Sequence, residues 1–255
     1  MNKYFSFFLL VLPALLFAQP SAEKGLEIAI LCDEANTGFL GEYSEMEMVL
    51  INAHGDSTTR KLVNEAGETA DDGDRSISTF LWPADVKGTR MLTWSHKTGD
   101  DDQWLYLPAL KRVKRISSRN KSGSFMGSEF SYEDLGSQEI EEYTYNFLEE
   151  VVYEGRKCWV VERMPVSKGS GYSKEVVWFD QEYFSPLKIE YFDRKAELLK
   201  VSVFNDYQQF GKYWRVSNIK VENVQTQKSS VLTWSKRELG KEFKEAHFSS
   251  DNLVD

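Results

Sequence analysis

The sequence predicts a mainly β protein: a strongly curved sheet or open barrel of about eleven antiparallel strands, with one helix at its start and a flap in its middle. Three observations support this prediction. Apolar and polar residues alternate with a period of two over most of the chain, the alternating segments follow one another after gaps of a few residues, and a convincing helical pattern occurs only at residues 20–36.

Residues 1–18 have the features of a secretory signal peptide. Lys3 precedes an apolar run from Tyr4 to Phe17, and the small residue Ala18 follows at a plausible cleavage point. The run is shorter than the roughly 20 residues that a membrane-spanning helix needs. Cys32 lies too far along the chain to become a lipidated N-terminus. We therefore expect an exported, unanchored protein whose single domain covers residues 19–255.

The predicted elements follow in order from this point. Apolar residues from Ala22 to Ala35 recur at helical spacing, and Gly38 is a natural stop for the helix. Residues 45–52 and 57–63 form a hairpin, because Gly55-Asp56 between them supplies turn chemistry. Further strands are predicted at residues 76–82, 89–97, 103–107, 142–153, 156–164, 174–180, 187–193, 198–207, 213–224 and 228–237, with a short helical signal at 238–246.

One face of this sheet is predicted to be apolar and incompletely filled. Leu187, Ile189 and Tyr191 share one face of their strand, and Leu199, Val201 and Val203 share one face of theirs. A single helix cannot cover so wide a sheet, so we expect an apolar cavity that binds a hydrophobic ligand. The predicted lining is Leu92, Trp94, Trp104, Trp159, Val161, Ile189, Tyr191, Val201 and Val203.

The flap is residues 117–135, which place aromatic side chains among Gly and Ser. Apolar rings on a mobile loop suggest a gate over the cavity, made of Phe125, Met126 and Phe130. The alternative is an ordinary surface loop whose aromatic side chains complete the core. Both interpretations remain open at this point.

A basic segment precedes and enters the flap, although the chain as a whole is acidic, with 31 Lys and Arg against 40 Asp and Glu. The acidic balance argues against general nucleic-acid binding. The basic segment is either a solvated face or a docking surface for an acidic protein or anionic headgroups. The candidate docking residues are Lys111, Arg112, Lys114 and Arg115.

The residues that an enzyme needs do not occur in recognisable patterns. None of the histidines His54, His96 and His247 belongs to an HExxH pair or lies near a cysteine in sequence. The chain has no Gly-x-Ser-x-Gly elbow and no glycine-rich phosphate loop, and its acidic runs lack the ligand spacing of an EF-hand. We therefore predict no catalytic residue, no metal and no cofactor.

The two cysteines are far apart in sequence and do not form a disulfide framework. Cys32 falls on the predicted helix and Cys158 in a predicted strand, so two buried thiols are expected. A disulfide between them in an oxidising compartment is the alternative.

Several stretches are similar to the family of LolA-like outer-membrane lipoprotein-sorting proteins. Residues 103–116 read QWLYLPALKRVKRI, residues 120–130 read NKSGSFMGSEF, and residues 177–180 read VWFD. The helix start at 24–28, the turn at 83–88 and residues 191–194 agree as well. The resemblance covers nearly the whole chain after the signal peptide.

The resemblance implies an open half-barrel of about eleven antiparallel strands, of the LolA/LolB type, whose covered cavity holds acyl chains. It also implies a periplasmic location and, for this subgroup, frequent association with transporters of the resistance-nodulation-division (RND) type. No ligand-binding residue of the general carrier can be transferred to a position of this chain, so the candidate site depends on strand alternation alone.

Two functions of different classes are consistent with these observations. The first is a carrier without catalysis, which binds lipid or lipoprotein acyl chains, transfers them between envelope components and contacts membrane surfaces transiently. The second is an accessory or adaptor subunit of an envelope transporter, with a filled interior and no cargo. A lipid hydrolase is disfavoured because the nucleophile constellation is missing.

Overall fold

The computed structural model describes residues 19–254 and consists mainly of one antiparallel sheet of thirteen strands. The helix α1 spans Gln19–Asn36 and precedes the sheet. The strands are β1 Gly41–Ile51, β2 Ser57–Gly67, β3 Arg75–Trp82, β4 Arg90–Trp94, β5 Asp102–Leu107, β6 Arg112–Ile116, β7 Tyr143–Tyr153, β8 Arg156–Pro165, β9 Tyr172–Asp180, β10 Pro186–Asp193, β11 Leu198–Asn205, β12 Gln208–Phe210, β13 Tyr213–Arg215, β14 Asn218–Asn223 and β15 Lys228–Leu239.

The sheet is built from two meanders that the last strand joins. Its order is β6-β5-β4-β3-β2-β1-β15-β14-β11-β10-β9-β8-β7, while β12 and β13 form a separate two-stranded sheet. The pairing of β1 with β15, which sets Met48 opposite Leu232, connects the two halves. Because β6 and β7 remain as edges, the sheet is open and does not close into a barrel.

Helix α1 and the flap cover the same face of the sheet, which we call the inner face. Ile28, Ala29 and Cys32 of the helix are buried against side chains of β7 to β10. Gly25 allows the close approach of the helix to β7, because a Cβ atom at this position would lie 2.8 Å from the backbone nitrogen of Phe147.

The flap lies across the other half of the inner face. Phe125 is only 1% exposed, and its ring centroid lies 5.7 Å from that of Phe80 on β3 and 6.0 Å from that of Tyr132. The flap ends in a short 3-10 helix, Tyr132–Leu135, which Ser131 and Asp134 cap reciprocally. Its aromatic side chains are therefore part of the core.

The opposite, outer face of β3 to β6 is covered by the end of the chain. Phe248 and Leu253, on the 3-10 helices Glu245–Phe248 and Ser250–Leu253, are buried against Ile77 and Leu92. The indole nitrogen of Trp94 donates a hydrogen bond of 2.7 Å to the carbonyl oxygen of Phe248. A second apolar layer thus lies outside the sheet.

The predicted fold class is confirmed: the protein is mainly β, with one antiparallel, open sheet and one α-helix among residues 19–254. The sheet has thirteen strands instead of about eleven: each of the twelve predicted segments contributes one strand to it, and β6, which lies outside those segments, is the thirteenth. The segment predicted as one strand at 213–224 is divided into β13 and β14, and the helical signal at 238–246 is replaced by the end of β15 and a 3-10 turn.

The predicted signal peptide, residues 1–18, lies outside the described residues. Among the residues that are described, no helix has both the length and the apolar character needed to cross a membrane.

Candidate functional site

The first of two apolar cavities on the inner face lies under α1, and we call it the helix cavity. Its volume is about 350 Å³. Ala29 and Cys32 of the helix form one wall, since their positions place them on the buried stripe of α1. The strands β7, β9, β10 and β11 contribute the apolar side chains Tyr145, Val177, Phe179, Ile189, Tyr191 and Phe204.

The second cavity lies under the flap, and we call it the flap cavity. Its volume is about 310 Å³. Phe125, Phe130 and Leu135 of the flap lie on one side of it. The strands supply the remaining apolar wall through Met46, Met48, Leu62, Ala66, Met91, Ile219, Leu232 and Trp234.

Residues 131–138 separate the two cavities, and we call this segment the strut. Asp134 lines both cavities. Its carboxylate accepts hydrogen bonds from the Tyr172 hydroxyl at 2.8 Å and the Ser131 backbone nitrogen at 2.7 Å, and it forms an ion pair with Lys200 at 2.5 Å. The side chains of Lys200 and Asp134 are only 4% and 10% exposed. Side chains of β9 and β11 therefore fix the strut against the sheet.

A wider polar opening of about 620 Å³ adjoins both cavities, and we call it the mouth. It shares Asp33, Asn36 and Gln138 with the helix cavity. It shares Asp74 and Ser137 with the flap cavity. Both apolar cavities therefore meet solvent at one polar surface.

A second buried ion pair lies beside the helix cavity. The guanidinium of Arg163 is 2.6 Å from the carboxylate of Glu175, and it donates a hydrogen bond of 2.9 Å to the side-chain oxygen of Gln138 in the strut. Although burial opposes it, the Glu175 carboxylate raises the pKa of Arg163. Because both charges are paired, the cavity keeps its apolar character despite a buried cation.

Three partly buried carboxyl groups, one of them lining the mouth, have raised pKa values. Burial, reinforced by the charges of Glu139 and Glu68, raises the pKa of Asp74 to about 7. Burial raises the pKa of Asp101 to about 6, although a hydrogen bond from the backbone of His96 opposes the shift. Burial and the charge of Asp101 raise the pKa of Glu142 to about 8. These groups keep their protons at a pH where exposed carboxyls have lost them.

Four of the predicted lining residues lie on the inner face. Ile189 and Tyr191 line the helix cavity directly. Val161 is fully buried in the cluster beneath it. Trp159 packs against the same cluster, with its ring 6.3 Å from that of Phe184.

The other five predicted lining residues face away from the cavities. Leu92, Trp94 and Trp104 belong to the outer cluster that the end of the chain covers. Val201 and Val203 also point outward, because Lys200 and Ser202 occupy the alternating buried positions of β11 and Lys200 contacts the strut. The apolar side of β11 is therefore not its cavity side.

The three gate residues lie together in the flap. Phe125 and Phe130 line the flap cavity, and Met126 packs against the same cluster. Met126 has a left-handed backbone with φ of 51°, and its carbonyl oxygen accepts a hydrogen bond from Arg60. That these residues open and close the cavity stays a prediction.

The candidate docking residues form an exposed basic edge, made of Lys111 and the β6 residues Arg112, Lys114 and Arg115. The strand β6 is the last of the sheet, so these side chains stand at a free border. Arg115 is paired with Asp102, and its guanidinium carbon lies 6.0 Å from the Trp104 ring.

Several residues that line the cavities are not among those predicted from the sequence. Met46 and Met48 alternate on β1, and Ile219 and Leu232 lie opposite each other on β14 and β15. The period-two pattern at 45–52 contained the signal for the methionines. The contribution of Ala29 and Cys32 required the buried side of α1 to be oriented against the sheet.

The two cysteines are free thiols, and both are buried, as predicted. Burial raises the pKa of Cys32 to about 12 and that of Cys158 to about 11. Among residues 19–254, no three His, Cys, Asp or Glu side chains are grouped so that they could hold a metal ion.

Solved structures with similar sequences extend over nearly the whole chain. A domain from Vibrio parahaemolyticus assigned to outer membrane lipoprotein sorting is 48% identical, with a TM-score of 0.90, over 92% of this chain and 100% of that chain. A DUF1329 family protein from Desulfovibrio piger is 30% identical, with a TM-score of 0.87, over 91% of this chain and 99% of that chain. A LolA superfamily protein from Nitrosomonas europaea has the same fold, with a TM-score of 0.71 at 19% identity over 91% of this chain and 99% of that chain.

Two further matches are to a family and a protein whose descriptions state no function. A protein-family model described as "Uncharacterized protein" matches residues 72–255. The uncharacterized protein MJ0687 of Methanocaldococcus jannaschii is 41% identical over 51 residues, which are 20% of this chain. The match spans 15% of the length of that curated relative.

Proposed function

Because the chain belongs to the LolA-like family of outer membrane lipoprotein-sorting proteins, we propose that it is a carrier that binds lipid or lipoprotein acyl chains and transfers them between envelope components. The proposal contains no chemical step. The carrier binds its cargo, shields the acyl chains from water and releases them.

The observation that carries this proposal is the presence of two apolar cavities on the inner face, of about 350 and 310 Å³. Each is at the lower end of the size range of small-molecule sites. Burial of an acyl chain contributes about 0.8 kcal/mol per methylene, so six buried methylenes would contribute about 5 kcal/mol. Met46, Met48 and Met91 suit a variable cargo, since their side chains adapt to different shapes.

Purification from a bacterial envelope, followed by native mass spectrometry and lipid extraction, tests the proposal. We expect bound lipid in the purified protein and uptake of a fluorescent fatty acid by the delipidated protein. Absence of both in the unchanged protein would contradict the carrier function.

Variants that fill the cavities sharpen this test. Ala29→Phe and Leu232→Lys together place one obstacle in each cavity, so we expect uptake to fall at least about tenfold. Their matched control is Ala22→Phe with Val231→Lys, because Ala22 is exposed near the start of α1 and Val231 is adjacent to Leu232 on the opposite face of β15. The control should bind as the unchanged protein does.

The proposed setting is the periplasm, with an RND-type transporter of the inner membrane as partner. What supports a protein partner is the exposed basic edge on an otherwise acidic molecule of net charge -9. Transient contact with anionic lipid headgroups is consistent with the same charges.

The alternative, an adaptor subunit without cargo, predicts an interior that its own side chains fill. The two cavities favour the carrier over the adaptor, because each is apolar space that neighbouring side chains leave unfilled. The basic edge is compatible with both functions.

A further inference from the structure

The helix cavity and the flap cavity are similar in size and lie on the same face of the sheet, one on each side of the strut. We propose that they are two arms of one site, and that its ligand is an amphiphile with two acyl chains, one in each arm. This inference rests on the proposed carrier function and specifies the cargo that the carrier accepts.

Apolar surface predominates in both arms, although polar side chains such as Arg163 and Asn64 also line them. The helix cavity offers aliphatic and aromatic side chains from α1 and four strands, among them Ala29, Val177 and Ile189. The flap cavity offers a different set, among them Met48 and Leu62. Apolar cavities of about 150 Å³ already bind benzene, and each arm has about twice that volume.

The strut prevents one chain from occupying both arms. Lys200 and Asp134 form a buried ion pair at this position, and the hydroxyl of Tyr172 donates to Asp134 at 2.8 Å. A chain passing from one arm to the other would have to separate these charges in a dry environment, which is strongly unfavourable. A single-chain ligand therefore occupies one arm and leaves the other free for a second molecule.

The mouth provides the place where two chains can join. Gln138 and Ser137 are adjacent residues of the strut, and Gln138 lines the helix cavity while Ser137 lines the flap cavity. Both also line the mouth. The polar junction of a two-chain amphiphile, such as its glycerol ester groups, would lie against these polar side chains while its chains diverge to either side.

Native mass spectrometry of the delipidated full chain tests the inference without any substitution. The probes are dioctanoylphosphatidylcholine and hexadecanoyl lysophosphatidylcholine, which have the same headgroup and the same number of acyl carbons. We expect one bound molecule of the two-chain lipid at saturation and two of the single-chain lipid. Saturation by a single lysolipid would overturn the two-arm site.

Two matched variants assign the arms. Ala29→Phe adds a ring to the helix cavity and Ala66→Phe adds one to the flap cavity. Each should weaken binding of the two-chain lipid at least about tenfold, the effect of displacing two methylenes. Each should reduce the number of bound lysolipid molecules from two to one. The affinity of the unsubstituted cavity for the lysolipid should stay within a few-fold of its value in the protein without substitutions. Ala22→Phe, at an exposed position near the start of α1, is the control.

The outcomes separate this inference from the proposed function. If one variant abolishes binding of both lipids and the other changes neither, there is one binding cavity and the inference fails while the carrier function stands. If neither lipid binds the unchanged protein, the carrier function fails and the inference with it. A diacylglyceryl-cysteine peptide used as competitor identifies the source of the cargo: tighter binding of the peptide indicates a lipoprotein, and tighter binding of the phosphatidylcholine indicates a free lipid.

Discussion

At the scale of single residues, the interior contains more charge than an apolar cargo requires. Arg163 and Glu175 are paired beside the helix cavity, Lys200 and Asp134 are paired in the strut, and Asp74, at the edge of the flap cavity, has a raised pKa. Burial raises the pKa of Glu175 even though its pairing with Arg163 opposes the shift, and buried carboxyls without a cationic partner favour the protonated form as well. The pH dependence of stability should therefore come from the buried carboxyls.

We expect the protein to be more stable at pH 5 than at pH 8. The pKa values of Asp101, Asp74 and Glu142 are raised by burial to about 6, 7 and 8. In the unfolded state these carboxyls have ordinary pKa values and lose their protons at about pH 4 to 4.5, whereas in the folded state they keep them to higher pH. The free energy of unfolding therefore falls as the pH rises from about 4.5 toward 8. Urea denaturation at both pH values measures the difference.

Glu142→Gln should remove part of this dependence. The amide cannot ionise, so the variant should unfold at a higher urea concentration than the unchanged protein at pH 8 and at a similar one at pH 5. Glu141→Gln, at an exposed neighbouring position, is the control and should leave the pH profile as it is. The prediction would be contradicted if the protein without substitutions had a urea midpoint at pH 8 equal to or higher than its urea midpoint at pH 5.

Sequence alternation predicted which residues share a face, but it could not determine which face is inside. Leu92 and Trp94 share a face, and Met91 lies on the other one, as alternation requires. Both faces of β4 are buried, one by the flap and one by the end of the chain, so hydrophobicity alone does not distinguish them. On β11 the inner face contains Lys200, whose partner Asp134 is distant in sequence. Sites made by such long-range pairs need the tertiary structure.

At the scale of elements, the C-terminal segment stabilises the sheet from outside. We expect Phe248→Ala to lower the free energy of unfolding by about 3–5 kcal/mol, because the side chain is only 4% exposed and its removal leaves a cavity beside Leu92. Tryptophan fluorescence during urea denaturation is a suitable measurement, since Trp94 and Trp104 lie in the same cluster.

Val254→Ala is the matched control for this segment. Val254 is 51% exposed, so its truncation should change the free energy of unfolding by less than about 0.5 kcal/mol. Equal urea midpoints for the two variants would show that the C-terminal segment does not contribute to the stability of the sheet.

The elements that the sequence predicted well are those whose pattern is local. The helix at 20–36 and the hairpin of β1 and β2 were found because periodicity and turn residues determine them. The strand β6 was missed because its solvent-exposed basic residues, required at a free sheet edge, conceal the alternation. The outer cover at Phe248 and Leu253 was missed because short 3-10 segments have no comparable pattern.

At the scale of the whole molecule, charge is distributed unevenly. The chain carries a net charge of -9, yet Lys111, Arg112, Lys114 and Arg115 project from the β6 edge. Such a concentration of one sign at a free edge opposes edge-to-edge aggregation, and it is also the surface that we propose for an acidic partner. Reversing the charges tests the partner-binding role separately. An acidic edge still opposes aggregation, because its side chains remain charged, but it no longer attracts an acidic partner.

We expect reversal of Lys111, Arg112, Lys114 and Arg115 to Glu to weaken co-purification with an RND-type transporter at least about tenfold at low salt without unfolding the protein. The difference should shrink as salt is added, because exposed charges are screened. The control reverses four exposed lysines that lie elsewhere: Lys61, Lys87, Lys157 and Lys228. Both variants change the net charge equally, so loss of co-purification by the β6 variant alone assigns transporter binding to the β6 edge. Unchanged co-purification of the β6 variant would reject this edge as the docking surface.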